Sequence, residues 1–167
     1  MSRRAALLLL TVALGGCGLR PLYGGADSRA AATLAAVDVA PIPGEAGWLV
    51  TTALRDRLSA AGSGTPAYRL EIVLDDDITG LGVRRDDSIT RERRTLRARY
   101  QLIDLTNGQV LVDATAGSDA GIDVVSSEYA TIAAERTALE RLSTLIADQI
   151  VSRVALYAAR TSGAAQP

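Results

Sequence analysis

Three stretches of alternating apolar and polar residues constrain the fold more than any other feature of this 167-residue chain. The first two read YRLEIVL from Tyr68 and TLRARYQL from Thr95. The third begins at Val110, and it is separated from the second by Asn107-Gly108, a residue pair favoured in type I′ hairpin turns. Strict alternation is typical of strands that bury one face. The three stretches therefore predict antiparallel strands with one apolar face and one polar face.

The alternation assigns the side chains of these strands to two faces. The apolar face comprises Tyr68, Leu70, Ile72 and Leu74, then Leu96, Ala98, Tyr100 and Leu102, and then Val110, Val112 and Ala114. Asp75 to Asp77 are expected to end the first strand, where their charge would protect the sheet edge. A calcium site is disfavoured there, because adjacent residues of a strand point to opposite faces and cannot converge on one ion.

Two helices are predicted, one before these strands and one after them. The first opens within residues 44–47, and the second begins after Ser126 or Ser127 and continues for about thirty residues. Each carries an apolar stripe with mostly three- and four-residue steps, as expected for a helix with one buried face. The stripes comprise Val50, Leu54 and Leu58 in the first helix, and Ile132, Leu139, Leu142, Ile146, Ile150, Val154 and Tyr157 in the second.

A short strand from Leu34 to Val39 completes the order β-α-β-β-β-α. This order predicts an α+β two-layer sandwich, with two helices packed on one face of a four-stranded, mostly antiparallel sheet. The helix between the first two strands permits a parallel crossover. We expect one such domain over residues 33–160, followed by a disordered tail over residues 161–167.

Residues 1–17 carry a second informative pattern. Arg3 and Arg4 precede an apolar run that is shorter than the ~20 residues of a membrane-spanning helix. The run ends in LGGC, which has the form of a bacterial lipobox. We therefore expect a lipoprotein signal peptide over residues 1–16, acylation of Cys17, for example with palmitate, and a lipidated tether over residues 17–32. A plain secretory signal with an incidental cysteine is the alternative, but Cys17 is the only cysteine and occupies the position that lipidation requires.

The composition excludes several kinds of catalytic site. The chain has no histidine, which excludes a Ser-His-Asp triad, a Cys-His nucleophile and a histidine-ligated metal site. No GxGxxG or P-loop motif is present. We therefore expect no enzymatic activity, metal or cofactor. The net charge of −1 gives no indication of nucleic-acid binding.

Two further segments carry a resemblance to a known family. CGLRPLYG follows the signal peptide, and the long helix opens with SSEYATIAAERTALE. Together with the lipobox and the strand-turn-strand at TNG, they resemble LptE, the lipopolysaccharide-assembly lipoprotein family, in its alphaproteobacterial form. The resemblance implies a non-enzymatic lipoprotein on the periplasmic side of the outer membrane. Its partner would be the LptD β-barrel, which it would plug and help to assemble, and it would bind lipopolysaccharide. The alternative is an auxiliary lipoprotein of a lipid-trafficking ABC transport system.

The densest basic stretch supplies a candidate binding surface. It reads RRDDSITRERRTLRARY, and alternation places Arg91, Arg93, Arg97 and Arg99 on one side of the strand if no bulge intervenes. Guanidinium groups bind phosphates in a bidentate manner, so these arginines are expected to contact lipopolysaccharide phosphates or acidic residues of the barrel wall. The alternative is a solvated strand face. Its arginines would pair with neighbouring acids, namely Glu71, Asp75 to Asp77, Asp86 and Asp87.

Overall fold

The computed structural model describes residues 29–83, 89–125 and 127–163. These residues form helices α1 (Arg29–Ala35), α2 (Gly44–Ser59) and α3 (Glu128–Gly163), and strands β1 (Val37–Val39), β2 (Tyr68–Val83), β3 (Ile89–Asp104) and β4 (Val110–Asp123). The strands form one sheet in the order β1-β2-β3-β4, in which β1 is parallel to β2 and the other pairs are antiparallel. The helices cover one face of this sheet. The predicted α+β class and the order β-α-β-β-β-α are confirmed, and α1 is an additional helix in front of them.

The sheet has two distinct ends. At the near end, β1 pairs with the start of β2, the start of β2 pairs with the end of β3, and β4 begins. At the far end, β2 ends, β3 begins and β4 ends. The long strands have 14 to 16 residues, so the two ends are about 50 Å apart at ~3.3 Å per residue. Helix α3 begins just after β4 at the far end and returns to the near end.

The core lies between the sheet and the helices, as the alternation predicted. Its fully buried large side chains include Val50 and Leu54 of α2, Leu70 of β2, Leu96 and Leu102 of β3, and Leu139, Leu142, Ile146 and Ile150 of α3. Small residues bring α3 close to its neighbours, because Ala138, Ala147, Ala155 and Ala158 are also buried. Gly47 is buried where α2 meets the preceding chain, and a Cβ there would lie 2.5 Å from the carbonyl oxygen of Ile42. Only glycine fits that contact without a shift of the backbone.

The start of the domain differs from the prediction. Leu34 lies in α1, and the strand begins only at Val37. The segment RAAATLA is rich in alanine, the strongest helix former, and the helix buries Ala30 and Leu34. Helix α1 packs against α3, so these two apolar side chains are buried by a helix and not by a strand.

The predicted hairpin at Asn107-Gly108 is present, but its turn is longer than a two-residue type I′ turn. Strand β3 ends at Asp104 and β4 begins at Val110. The amide of Gly108, with φ of 72°, donates to the carbonyl oxygen of Asp104 at 2.8 Å. The carboxylate of Asp104 and the side-chain amide oxygen of Asn107 accept backbone hydrogen bonds within the loop. The polar side chains therefore stabilise a wider turn.

Two residues predicted on the apolar faces lie elsewhere. A β-bulge between Leu102 and Ile103 leaves Leu111 as an extra residue in β4, so Val110 pairs with Ile103 and is 45% exposed. In α3, Ile132 is 54% exposed, and Thr131 takes the buried position in that turn. The bulge explains the position of Val110.

The three aspartates also lie elsewhere than expected. The strand continues to Val83, so Asp75 to Asp77 lie in the middle of β2 and not at its end. They lie on an edge, because β1 pairs only with Tyr68 to Leu70. An exposed carboxylate on such an edge disfavours pairing with another chain, so the expected protective role remains consistent with the corrected position.

Candidate ligand-binding surface

The four candidate arginines lie in one row on the sheet face that the helices leave open. Strand β3 pairs without a bulge with β2 and β4 from Arg91 to Leu102, so Arg91, Arg93, Arg97 and Arg99 share one face. This shared face was predicted and is confirmed. The row occupies the central strand of the long meander and extends about 27 Å at ~3.4 Å per residue.

Two of these arginines form ion pairs with β4. The Nε atom of Arg91 lies 3.1 Å from Oδ1 of Asp123, and Nη2 of Arg99 lies 3.3 Å from Oδ2 of Asp113. Gln101 also donates to Asp113 at 2.8 Å. The hydrogen bonds from Gln101 and Arg99 lower the pKa of Asp113. Both arginine side chains remain about 70% exposed, so these surface pairs leave most of each guanidinium accessible.

Arg93 and Arg97 are exposed and form no ion pair with any residue in the described part of the chain. Arg97 lies opposite Gly117 of β4, and its Cγ and Nη1 atoms would be 3.6 Å from a Cβ at that position. Because Gly117 has no side chain, the guanidinium of Arg97 can lie across the strand. The middle of the row therefore retains cations that are free to meet an anion.

Acidic residues line both margins of the row. The register places three on the open face of β2 and three on that of β4: Glu71, Asp75 and Asp77, and Asp113, Asp119 and Asp123. Neighbouring strands are ~4.8 Å apart, so the two acidic margins are about 10 Å apart. The open face is therefore a narrow cationic row between anionic margins, and it is not a broad basic patch.

Arg94 has a different role from the four residues of the row. It points to the helix side, where Nε and Nη2 bind the two carboxylate oxygens of Asp76 at 2.8 and 2.6 Å. Its Nη1 atom donates to the carbonyl oxygen of Glu135 in α3 at 3.0 Å. The hydrogen bonds to Asp76 raise the pKa of Arg94 although burial opposes the rise. The sequence did not indicate this link between Arg94 and α3.

The remaining sequence expectations concern residues outside the described ranges, metal sites and membrane spans. Cys17, Asp86 and Asp87 lie outside the described residues. Among the described residues, no cluster of acidic or sulfur ligands could hold a metal ion. No helix in the described ranges has both the length and the apolar character needed to cross a membrane.

Comparison with known proteins places the chain in a family. The sequence model of the family described as lipopolysaccharide-assembly, LptE, matches residues 34–154. This match covers more than half of the chain and extends from α1 into the last part of α3. The chain belongs to the LptE family. None of the curated proteins compared with it matches the sequence.

Solved structures share the fold of this LptE-family chain. A Caulobacter crescentus CB15 protein described as a lipoprotein is 23% identical, with a TM-score of 0.66 over 79% of this chain and 98% of that one. The minor lipoprotein of Acinetobacter baumannii is 14% identical, with a TM-score of 0.60 over 73% and 92%. Rare lipoprotein B of Shewanella oneidensis is 10% identical, with a TM-score of 0.56 over 76% and 94%. At these identities the comparison establishes the fold alone.

Family membership supports a role in lipopolysaccharide transport, and the family is one of non-enzymatic bacterial lipoproteins. The open face of the sheet presents four exposed arginines in one row. The sequence predicted its four arginines and the acids of the β2 margin, but not those of the β4 margin, because the β4 acids lie 14 and 32 residues from their arginine partners.

Proposed function

We propose that this LptE-family protein is the lipoprotein subunit of the lipopolysaccharide translocon of the outer membrane. In this proposal, acylated Cys17 anchors it on the periplasmic side, and it partners the LptD barrel as plug and assembly factor. The observation that carries the proposal is the family match, which covers residues 34–154 and so nearly all of the described fold. The proposal requires a stable complex with an outer-membrane barrel.

Copurification tests this partnership directly. The full chain, tagged at its C-terminus, is expected to retain an outer-membrane β-barrel of the LptD type when it is extracted from native membranes in mild detergent. Recovery of an inner-membrane ATPase complex instead would support the alternative, an auxiliary lipoprotein of an ABC transport system. Substitution of Cys17 by serine in the same experiment tests the anchor, because it is expected to release the protein from the membrane fraction.

We further infer that the arginine row contacts the phosphates of lipopolysaccharide. Arg93 and Arg97 have no carboxylate partner among the described residues, and Arg91 and Arg99 have mostly exposed guanidinium groups. Guanidinium is planar and binds phosphate oxygens through two parallel hydrogen bonds, which favours this assignment. Acidic residues of the barrel wall would be recognised by the same chemistry.

Charge reversal separates the two possible ligands. The double variant Arg97→Glu and Arg99→Glu is expected to bind purified lipopolysaccharide at least about tenfold more weakly, since a hydrogen bond to a charged group contributes ~1.5–3 kcal/mol. A matched control, Arg55→Glu and Arg141→Glu, makes the same charge change at exposed sites on the helices and should bind normally. If the row variant binds lipopolysaccharide normally but no longer copurifies with the barrel, the row contacts the barrel wall instead. Unchanged binding and an intact complex would refute the role of the row.

A further inference from the structure

A second cationic site lies at the near end of the sheet, away from the arginine row. It is a cavity of about 230 Å³ between the start of β4 and the last three turns of α3. Arg153 and Arg160 lie on its rim, seven residues apart and therefore on one side of the helix. Leu111, Leu156 and Tyr157 supply apolar lining. The site therefore has a cationic rim and an apolar floor.

The cations of this cavity are not neutralised by any residue in the described part of the chain. Arg153 and Arg160 form no ion pair with any residue that the structure describes. Asp113 is the only acid among the described residues that line the cavity, and it already accepts hydrogen bonds from Arg99 and Gln101. An anion that enters from outside would therefore meet two exposed guanidinium groups.

The bulge in β4 forms the apolar part of this site. Leu111 is the extra residue of the bulge, and both Leu111 and Val112 are half-buried against the core. Without the bulge, one of these two adjacent side chains would point to the open face. Leu156 remains 37% exposed beside them. A ligand that carries an anionic group next to hydrocarbon could bind the arginines and contact the apolar lining at the same time.

The position of the cavity indicates where such a ligand comes from. Helix α1 begins the described fold, and it leads directly into β1 at the near end. The segment between Cys17 and α1 contains residues 18–28, which span at most about 40 Å when extended. If Cys17 is acylated as predicted, the near end is therefore the end that is held close to the membrane.

We propose that this cavity binds the phosphate headgroup of an anionic phospholipid in the leaflet that holds the Cys17 anchor. The guanidinium groups of Arg153 and Arg160 would bind the phosphate, and Leu156 and Tyr157 would contact the glycerol and the first acyl carbons. This contact would orient the domain on the membrane with its near end down and would leave the open face of the sheet free. It requires neither lipopolysaccharide nor a barrel.

A photocrosslinking amino acid at position 156 tests the contact. The full lipoprotein carrying benzoylphenylalanine in place of Leu156 is reconstituted into phosphatidylcholine vesicles, with or without about one-third phosphatidylglycerol, and phospholipid adducts are measured by mass spectrometry. The matched control carries the same group at Leu145, which is exposed on the same side of α3 and lies about 16 Å nearer the far end. We expect adducts at position 156 in anionic vesicles, at least about fivefold more than at position 145.

Substitution of the arginines completes the test. Because each arginine near an anionic leaflet strengthens binding by about fivefold, Arg153→Gln with Arg160→Gln should reduce the adduct at position 156 by about tenfold or more. Arg141→Gln, which removes an exposed arginine of α3 away from the cavity, should not reduce it. Equal yields at positions 156 and 145 would overturn the proposal. So would a yield at position 156 that depends neither on lipid charge nor on the two arginines.

Discussion

Replacement of Arg94 by methionine should destabilise the far end of the fold more than any other single arginine substitution on β3. The guanidinium of Arg94 joins three elements: β3, Asp76 of β2 and the backbone of α3 at Glu135. Its side chain is 13% exposed and that of Asp76 is 23% exposed. The variant leaves the carboxylate of Asp76 partly buried and without its bidentate partner, and it leaves the carbonyl oxygen of Glu135 without this donor.

The magnitude follows from the burial of this ion pair. Breaking a fully buried pair costs ~3–5 kcal/mol because one charge remains uncompensated, whereas an exposed pair contributes ~0.2–1 kcal/mol. The Arg94–Asp76 pair lies between these limits, and it has two short hydrogen bonds and a third to the backbone. We therefore expect a loss of about 2–3 kcal/mol in the free energy of unfolding. For a chain of this size, the melting temperature should fall by roughly 5–10 °C.

Urea unfolding followed by circular dichroism measures the global loss, and hydrogen exchange of the α3 backbone locates it. Exchange should accelerate most in the first turns of α3, next to Glu135, and least near Val154. Arg93→Met is the matched control, because it removes the adjacent arginine, which lies on the open face without an ion pair to a described residue. This control should change the free energy of unfolding by less than about 0.5 kcal/mol.

Two outcomes would refute this reasoning. One is an equal loss of stability in Arg94→Met and Arg93→Met, which would show that the ion pair contributes no more than a solvated arginine. The other is a double variant, Arg94→Met with Asp76→Asn, that loses the sum of the two single effects, because a real pair must show a coupling energy.

Two further substitutions test the packing of α3. The hydrogen bond from Arg57 lowers the pKa of Asp148, so this pair stabilises the fold above the unfolded carboxylate pKa of ~3.9, and the contribution disappears as the pH falls through the lower folded pKa. The stability difference between the wild type and Asp148→Asn in urea should therefore shrink below about pH 4, and a constant difference would contradict the assignment. Ser143→Ala should raise the free energy of unfolding by about 1 kcal/mol, because the Ser143 Oγ atom is buried and has no hydrogen-bond partner among the described residues. The exposed control Thr144→Ala should change little, and a destabilised Ser143→Ala would contradict the prediction.

The faces of the long strands could be predicted because alternation is a local property. Leu96, Ala98, Tyr100 and Leu102 are all buried, as their spacing indicated. The bulge at Leu111 could not be predicted, because an inserted residue changes the face of Val110 without breaking the apolar pattern of the sequence. Alternation specifies the face of a residue only relative to its neighbours and not relative to the opposite strand.

Helical periodicity had a similar limit in α3. The stripe from Leu139 onward is buried, but Ile132, seven residues earlier, is exposed. The first turns of α3 lie over the part of the sheet where Arg94 and Asp76 form a polar contact, and in these turns Thr131 is buried whereas Ile132 is exposed. Whether an apolar side chain is buried depends on what lies opposite it, and a single helix does not carry that information.

The sequence predicted which arginines of the candidate site share a face, but not their ion-pair partners on β4. Arg91, Arg93, Arg97 and Arg99 share a face because each lies an even number of residues from the others and no bulge interrupts β3 before Leu102. Their ion-pair partners depend on the register of β4, which the sequence did not specify. Asp113 and Asp123 were therefore missed, whereas Asp75 and Asp77 were correctly placed beside the row but accept no ion pair from it among the described residues.

The acidic margins restrict what the arginine row can bind. They lie about 10 Å apart on either side of β3, so a broad anionic surface that approached the open face would meet six carboxylates as well as the four arginines. A single file of anionic groups along β3 would meet the arginines first. Phosphates on one molecule satisfy this restriction, and a flat anionic leaflet does not. The near-end cavity has the opposite character, because Asp113, the only acid among its described lining residues, is already engaged and its two arginines are exposed. The two cationic sites therefore suit different anions, the row a discrete ligand and the cavity a membrane surface.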